Sequence, residues 1–382
     1  MCVSPQPTMT NQLVNEQAAP LARVGSRDIR LDALRGLLLI LMVINHSSTI
    51  VDGLTFQQLG YLSEAEGFVF LSGFVAGLTY SRMSVQQPAY CLWRRALLRA
   101  RTIYLFHLVA FLACFLFLRG FAVGDAYWES WNPALQANFL PAILSGVVLL
   151  FQPRYMDILP MYCLFILATP AVVLLLKEKK WRRILGASLI TWMLAQFGLR
   201  TQLLSLLPEG LPVAPGFFDP FAWQLVFVSG LLLGSFYYNG KGHSFRPQKW
   251  ALIYCSFVIA VLFLARHGLF PVEAILGEQS SLISKESFGM LRVFDLASVV
   301  YLIASGYSRL KPSFVSNALA YLGRNSLQVF AFHLILVCLM NVVVRPAVWL
   351  GPIGKVLILL LACIPSLYLP AWLSERRKAA SA

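Results

Sequence analysis

Charge is what this sequence has least of. Only 13% of its 382 residues are Asp, Glu, Lys or Arg and 58% are hydrophobic, whereas an ordinary soluble domain carries roughly 25% charge. A water-soluble fold cannot hide that much apolar surface. The chain also lacks the polar–apolar alternation of outer-membrane strands. Its apolar runs are continuous, which excludes a closed β-barrel. The seven cysteines form an odd set with no CxxC spacing, and most lie inside apolar runs. They predict neither a disulfide framework nor a zinc site, and no metal is expected. No cleavable leader is apparent: residues 1 to 30 are polar, and no small-residue cleavage site follows the first apolar run. There is no repeat of fixed period and no pair of similar halves, which counts against transporters built from inverted repeats.

What is present is a series of apolar runs separated by basic clusters. A bilayer span needs about 20 residues, and eleven runs qualify as candidates, near residues 33–51, 66–83, 101–120, 136–152, 158–176, 184–199, 220–238, 250–267, 288–306, 323–344 and 354–373. The net charge of +14 comes from Lys and Arg between these runs, where it orients the chain and attracts anionic lipid headgroups. Nucleic-acid binding is not expected. Arg23, Arg27 and Arg30 place the N-terminus in the cytoplasm. The cluster Lys177, Lys179, Lys180, Arg182 and Arg183 joins it there only if an even number of spans intervenes. The run 136–152, interrupted by Pro141, is the weakest and is read as interfacial or re-entrant. The expectation is therefore an all-α polytopic membrane protein of about ten transmembrane helices with both termini cytoplasmic. Lys241, Arg246, Lys249, Arg309, Lys311 and Arg324 then fall inside, and the segments 52–65, 121–135 and 268–287 outside. Residues 1–27 read as a flexible cytoplasmic tail, 28–374 as one transmembrane domain and 375–382 as a cytoplasmic C-terminal tail.

The most informative stretch is Arg30-Leu-Asp32-Ala-Leu-Arg35-Gly, followed by an apolar run holding Asn45 and His46. Arg35 and His46 are eleven residues apart, three helical turns plus roughly 20° and about 16 Å of rise, so they share one helix face. With Arg35 at the cytoplasmic boundary, His46 is expected near the bilayer midplane. An ionisable group there points to function. The plainer alternative makes Arg35 a topological anchor paired with Asp32 and His46 an interhelical hydrogen-bonding group.

Asp32-x-x-Arg35-Gly with a His eleven residues after the Arg resembles the first-helix motif of the membrane acyltransferase family three. The stretch Glu66-Gly-Phe-Val-Phe-Leu-Ser72-Gly73-Phe-Val-Ala-Gly77-Leu-x-Tyr80 resembles its OpgC branch. So do Asp157-Ile-Leu-Pro160-Met-Tyr162, Phe221-Ala-Trp223-Gln224-Leu-Val-Phe and Leu322-Gly-Arg324-Asn-Ser326-Leu-Gln-Val-Phe-x-x-His333. The matches run in order from residue 28 to about 335. The resemblance implies a multi-pass enzyme of the bacterial inner membrane that succinylates osmoregulated periplasmic glucans, with a cytoplasmic succinyl thioester, succinyl-CoA, as donor substrate and no permanently bound cofactor. The chemistry is compatible: a His of ordinary pKa near 6.5 can take the proton of a sugar hydroxyl, and the planar Arg35 fork suits a coenzyme A phosphate or the acyl carboxylate.

The remaining residues each carry two readings. Glu66 is a boundary charge or orients the His. Asp157 begins a span, or faces the cavity as a catalytic or substrate carboxylate. Trp223 and Gln224 are packing and an interhelical amide, or bind sugar. Ser326 and His333, two turns apart on one face, are structural or a second catalytic and positioning pair. Asp32, Ser72 and Arg324 enter as substrate contacts with the resemblance, as do Glu66 and Ser326. Gly73-x-x-x-Gly77 and Gly230-x-x-x-Gly234 predict close helix packing, and Arg292 and Asp295 a mutually neutralising i,i+3 pair. The rival functions are an O-acetyltransferase for another envelope glycan and a transporter with His46 in a proton relay.

Overall fold

The computed structural model describes residues 28–47, 49–121, 139–208, 213–240, 245–270, 277, 280–307 and 313–380. The tail 1–27 with Arg23 and Arg27, most of the 121–135 segment, and Lys241, Arg309 and Lys311 lie outside them. The described residues form helices throughout, with one isolated parallel bridge between Phe151 and Ala214. In hydrocarbon every backbone N–H and C=O must be satisfied within its own segment, which leaves the helix as the element an apolar run can form.

In chain order these helices are α1 (Ile29–His46), α2 (Asp52–Thr55), α3 (Glu64–Gln86), α4 (Ala89–Phe121), α5 (Phe139–Val147), α6 (Ile158–Lys177), α7 (Trp181–Gln196) and α8 (Leu199–Leu204). There follow α9 (Pro220–Tyr238), α10 (Lys249–Arg266), α11 (Met290–Gly306), α12 (Phe314–Arg324), α13 (Ser326–Val344) and α14 (Val348–Ala380). Seven of the described helices, α3, α4, α6, α9, α10, α13 and α14, are long and apolar enough to cross a membrane. Three more occupy predicted runs but are shorter or more charged: α1 carries Arg30, Asp32 and Arg35 in its first two turns, α7 has 16 residues and α11 has 17. The run 136–152 yields only the nine-residue α5, about 13 Å long at 1.5 Å per residue, too short to span.

The chain is inside out relative to a soluble protein. Leu97, Val109, Ile253, Phe257 and Leu361 are exposed, while Glu64, Glu66, Asp157, Arg292, Asp295 and His333 are buried. That is the distribution a lipid solvent selects. Both glycine motifs pack as expected. α3 and α9 run side by side in the same direction, and a Cβ on Gly73, Gly77, Gly230 or Gly234 would run into the backbone of the facing helix. Gly36 and Gly323 bring α1 and α12 together in the same way, against Leu319 and Asp32.

Interhelical bonds sort the helix ends into two sets. One end gathers Arg30 with Asp28 and Tyr307, Lys177 with the Ser84 carbonyl, and Gln248 with Tyr301. Asn325 joins them, bonded to Glu375 and Lys378. The chain therefore stays helical and attached through Ala380, where the sequence reads as a tail. The other end gathers residues 45–66, 151–157, 213–219, 280–292 and 341–345.

Two boundaries differ from expectation. The first run, read as 33–51, stops at His46 because Ser47 turns its hydroxyl back onto the Val43 carbonyl, the competition that Ser offers a helix. His46 is therefore the last residue of α1. The run 323–344 is likewise broken at Asn325, which ends the amphipathic α12 and starts α13.

Candidate functional site

His46 occupies the last position of α1. Helix ends leave carbonyls without partners, and here the Nδ2 of Asn341 donates to the His46 carbonyl at 2.9 Å and to Val337 O at 2.9 Å. Asn341 sits in the π-helical turn Met340–Val344 of α13, a local widening that recurs at functional sites. The His46 ring stacks on Tyr155 with centroids 4.2 Å apart. Tyr155 holds a left-handed backbone, φ 71°, which a bulky residue adopts only under constraint by its surroundings.

Two further groups face the ring. His46 Nδ1 lies 3.4 Å from Nε2 of His333, and His46 Nε2 lies 4.0 Å from the Glu64 carboxylate. The tautomers follow from what each neighbour can do. His333 Nδ1 is 2.7 Å from the Phe330 carbonyl, which only accepts, so this nitrogen carries the proton and Nε2 of a neutral ring carries the lone pair. His46 must then donate from Nδ1. Its Nε2 is left as an acceptor able to take a proton, after which Glu64 faces a cation. Glu64 is itself fixed by Asn45 Nδ2 at 2.9 Å, and Asn45 by Thr55.

Arg35 lies on the same helix face, about 16 Å from His46 along the axis, and is ion-paired with buried Asp32. Among the described residues its buried Nε has no hydrogen-bond acceptor. Arg99 of α4 and Tyr162 of α6 lie within electrostatic range of Arg35, Ser72 lies beside Tyr162, and the Tyr162 hydroxyl donates to the Phe68 carbonyl at 3.2 Å. Between this cluster and the histidines stand Tyr162, Phe68, Phe330 and His333, each ring in contact with the next.

The other candidates are placed elsewhere. Glu66 is fully buried, caps α3 through Ser63 and pairs with Arg292 at 2.8 Å. The expected Arg292–Asp295 pair is thus replaced by Arg292–Glu66, while Asp295 accepts from the Tyr61 and Leu62 amides. Asp157 receives the amides of Phe217 and Phe218 at 2.7 and 2.8 Å and pins that loop. Trp223 is fully buried, donating to the Lys285 and Glu286 carbonyls and packed on Phe218. Gln224 exchanges two hydrogen bonds with Ser188 across α7 and α9. Arg324 bonds the Ala320 carbonyl beside the Tyr321 ring. Ser326 opens α13, two turns before His333. Of the candidates, only His333 meets His46. Glu64, Tyr155 and Asn341 were not foreseen. Nothing in the Asn45-His46 dipeptide itself marks Glu64, which the packing of α1 beside α3 brings to the ring. Among the described residues, no three His, Cys, Asp or Glu side chains are grouped to hold a metal ion.

The architecture and site define a multi-pass membrane protein of helices alone, among the described residues, with buried His333 facing a partly exposed His46 where several helix ends converge. The chain belongs to the OpgC protein family, whose model matches residues 27–379, nearly its whole length. No curated protein and no solved structure matches it. Family and helices together fit a membrane-associated glucan-modifying transferase.

Proposed function

We propose that this protein is an O-acyltransferase of the bacterial inner membrane that moves a succinyl group from succinyl-CoA in the cytoplasm to hydroxyls of periplasmic glucans. The observation that carries the reading is the His46–His333 pair, which leaves His46 Nε2 as a free base opposite Glu64. The acceptor hydroxyl gives its proton to Nε2 while its oxygen attacks the thioester carbonyl carbon. The C–S bond then breaks, and the departing thiolate takes the proton from His46. Ester and free coenzyme A are the products, and the imidazolium that exists between the two transfers is stabilised by Glu64.

Arg35 supports the same reading from the basic end, which the positive-inside rule assigns to the cytoplasm together with both termini. Three C–C bonds of about 1.5 Å span no more than about 5 Å, so a succinyl carboxylate cannot touch Arg35 while its carbonyl is at His46, about 16 Å away. Arg35 is instead suited to a donor phosphate. Coenzyme A separates phosphate from thioester by a long flexible arm, which matches the separation of the two clusters. The remaining polar residues of the motifs hold the frame: Asp157 fixes the 217–218 loop, and Trp223 and Gln224 lock α9.

The test uses purified protein in detergent with succinyl-CoA and a glucan acceptor. Replacing His46 with Ala should lower transfer by about 10²- to 10⁴-fold, the contribution of a general base, with insertion and thermal stability retained. Near-normal transfer by that variant would remove His46 from the mechanism.

A further inference from the structure

The acyl group raises a question that Arg35 does not answer: what holds its free carboxylate. A cation is needed within reach of His46. Adding the hydroxyl–imidazole distance of about 3 Å, the acyl chain of about 5 Å and a charge-assisted bond of about 2.8 Å gives a radius of roughly 10 Å. Lys285 and Arg154 both lie within electrostatic range of the His46 ring. Arg154 is exposed and stacked over Tyr155. Lys285 differs in three respects.

Its ammonium stands over the rings of Phe56 and Phe218, 5.1 and 5.8 Å from their centroids. These faces fix its position while leaving its three donors unspent. Phe218 belongs to the loop that Asp157 pins, and Phe56 to the loop between α1 and α3, so both supports come from the surroundings of His46. Next, Lys285 lines a cavity of about 300 Å³ together with Arg266 and Arg292, at the lower end of ligand-pocket sizes. Arg292 is taken up by Glu66 and by the Tyr61 and Ile283 carbonyls, and Arg266 by Gln57. Among the described residues Lys285 Nζ makes no ion pair or hydrogen bond with another side chain. Finally, the carboxylates beside it are engaged elsewhere: Asp157 by two amides and the adjoining Glu286 by Arg200.

We infer that Lys285 receives the terminal carboxylate of a dicarboxylic acyl group whose carbonyl is at His46, and so selects succinyl over uncharged acyl groups of equal length. The inference rests on the acyl-transfer reading above. It assigns specificity to the helix end that holds the reacting carbonyl and leaves the coenzyme to Arg35.

The experiment compares succinyl-CoA with butyryl-CoA, which has the same four carbons with a methyl in place of the carboxylate, using the full chain in detergent. The wild type should favour succinyl-CoA in kcat/KM by about 10- to 100-fold, the range for one hydrogen bond to a charged partner. Lys285→Met should erase that ratio and Lys285→Arg should keep most of it. Because the ratio is read within one preparation, partial misfolding cancels; if the Met variant does not accumulate, Lys285→Gln reads the same quantity. An unchanged ratio in these variants, or a wild type with no succinyl preference, overturns the carboxylate contact alone while His46-dependent transfer stands. Absence of any His46-dependent transfer from either thioester overturns the acyltransferase reading and this inference with it.

Discussion

His333 tests the tautomer argument most sharply, because its proposed action is indirect. In His333→Leu the acceptor for His46 Nδ1–H disappears, while Tyr155 still stacks on the ring and Asn341 still caps α1. At 3.4 Å the lost bond is longer than the usual range of about 2.7–3.2 Å, so it contributes at the low end of the net values for hydrogen bonds, about 0.5 kcal/mol. Without it the two neutral tautomers of His46 come closer in population, and a share of molecules carry the proton on Nε2, where it blocks base action. That bias acts on the ratio of the two tautomers; as the ratio approaches unity the competent fraction falls toward one half, and the expected loss of kcat is at most about twofold. Gln at 333 offers a carbonyl oxygen to the same donor and should recover part of the rate. The assay is steady-state succinyl transfer with both substrates varied, alongside His46→Ala. If His333→Leu falls as far as His46→Ala, His333 touches the reacting atoms itself and the orienting role is wrong. If it loses nothing, the histidine pair has no part in fixing the base.

Two further expectations concern the frame. Arg35→Lys keeps the charge but loses the planar fork, so KM for succinyl-CoA should rise by about tenfold, the scale of one charge-assisted bond; full activity at low donor concentration would leave Arg35 as an anchor paired with Asp32. Gly77→Val puts carbon against the Leu231 backbone of α9, and overpacking of about 1–3 kcal/mol should lower the melting temperature in detergent, whereas Gly186→Ala, which meets nothing, should not; equal melting temperatures would refute the close crossing of α3 and α9.

The sequence alone determined the solvent and the elements. Scarce charge and continuous apolar runs require lipid, and lipid requires helices, because a segment in hydrocarbon must close its hydrogen bonds on itself. The shared face of Arg35 and His46 was likewise legible, since helical periodicity is a local property. Partners were not. Glu64 and Glu66 are two residues apart, so they leave α3 on different sides, and only the placement of α1 and α11 decided that Glu64 meets His46 while Glu66 meets Arg292. His333 is 287 positions from His46, and nothing in either helix names the other; the order of helices in the bundle brings them together. The same holds for Trp223, whose buried indole is bonded to carbonyls of the 280s loop, and for Lys285, an ordinary loop lysine in the sequence. Periodicity fixes which side chains share a face, and the packing of helices far apart in the chain decides what that face meets.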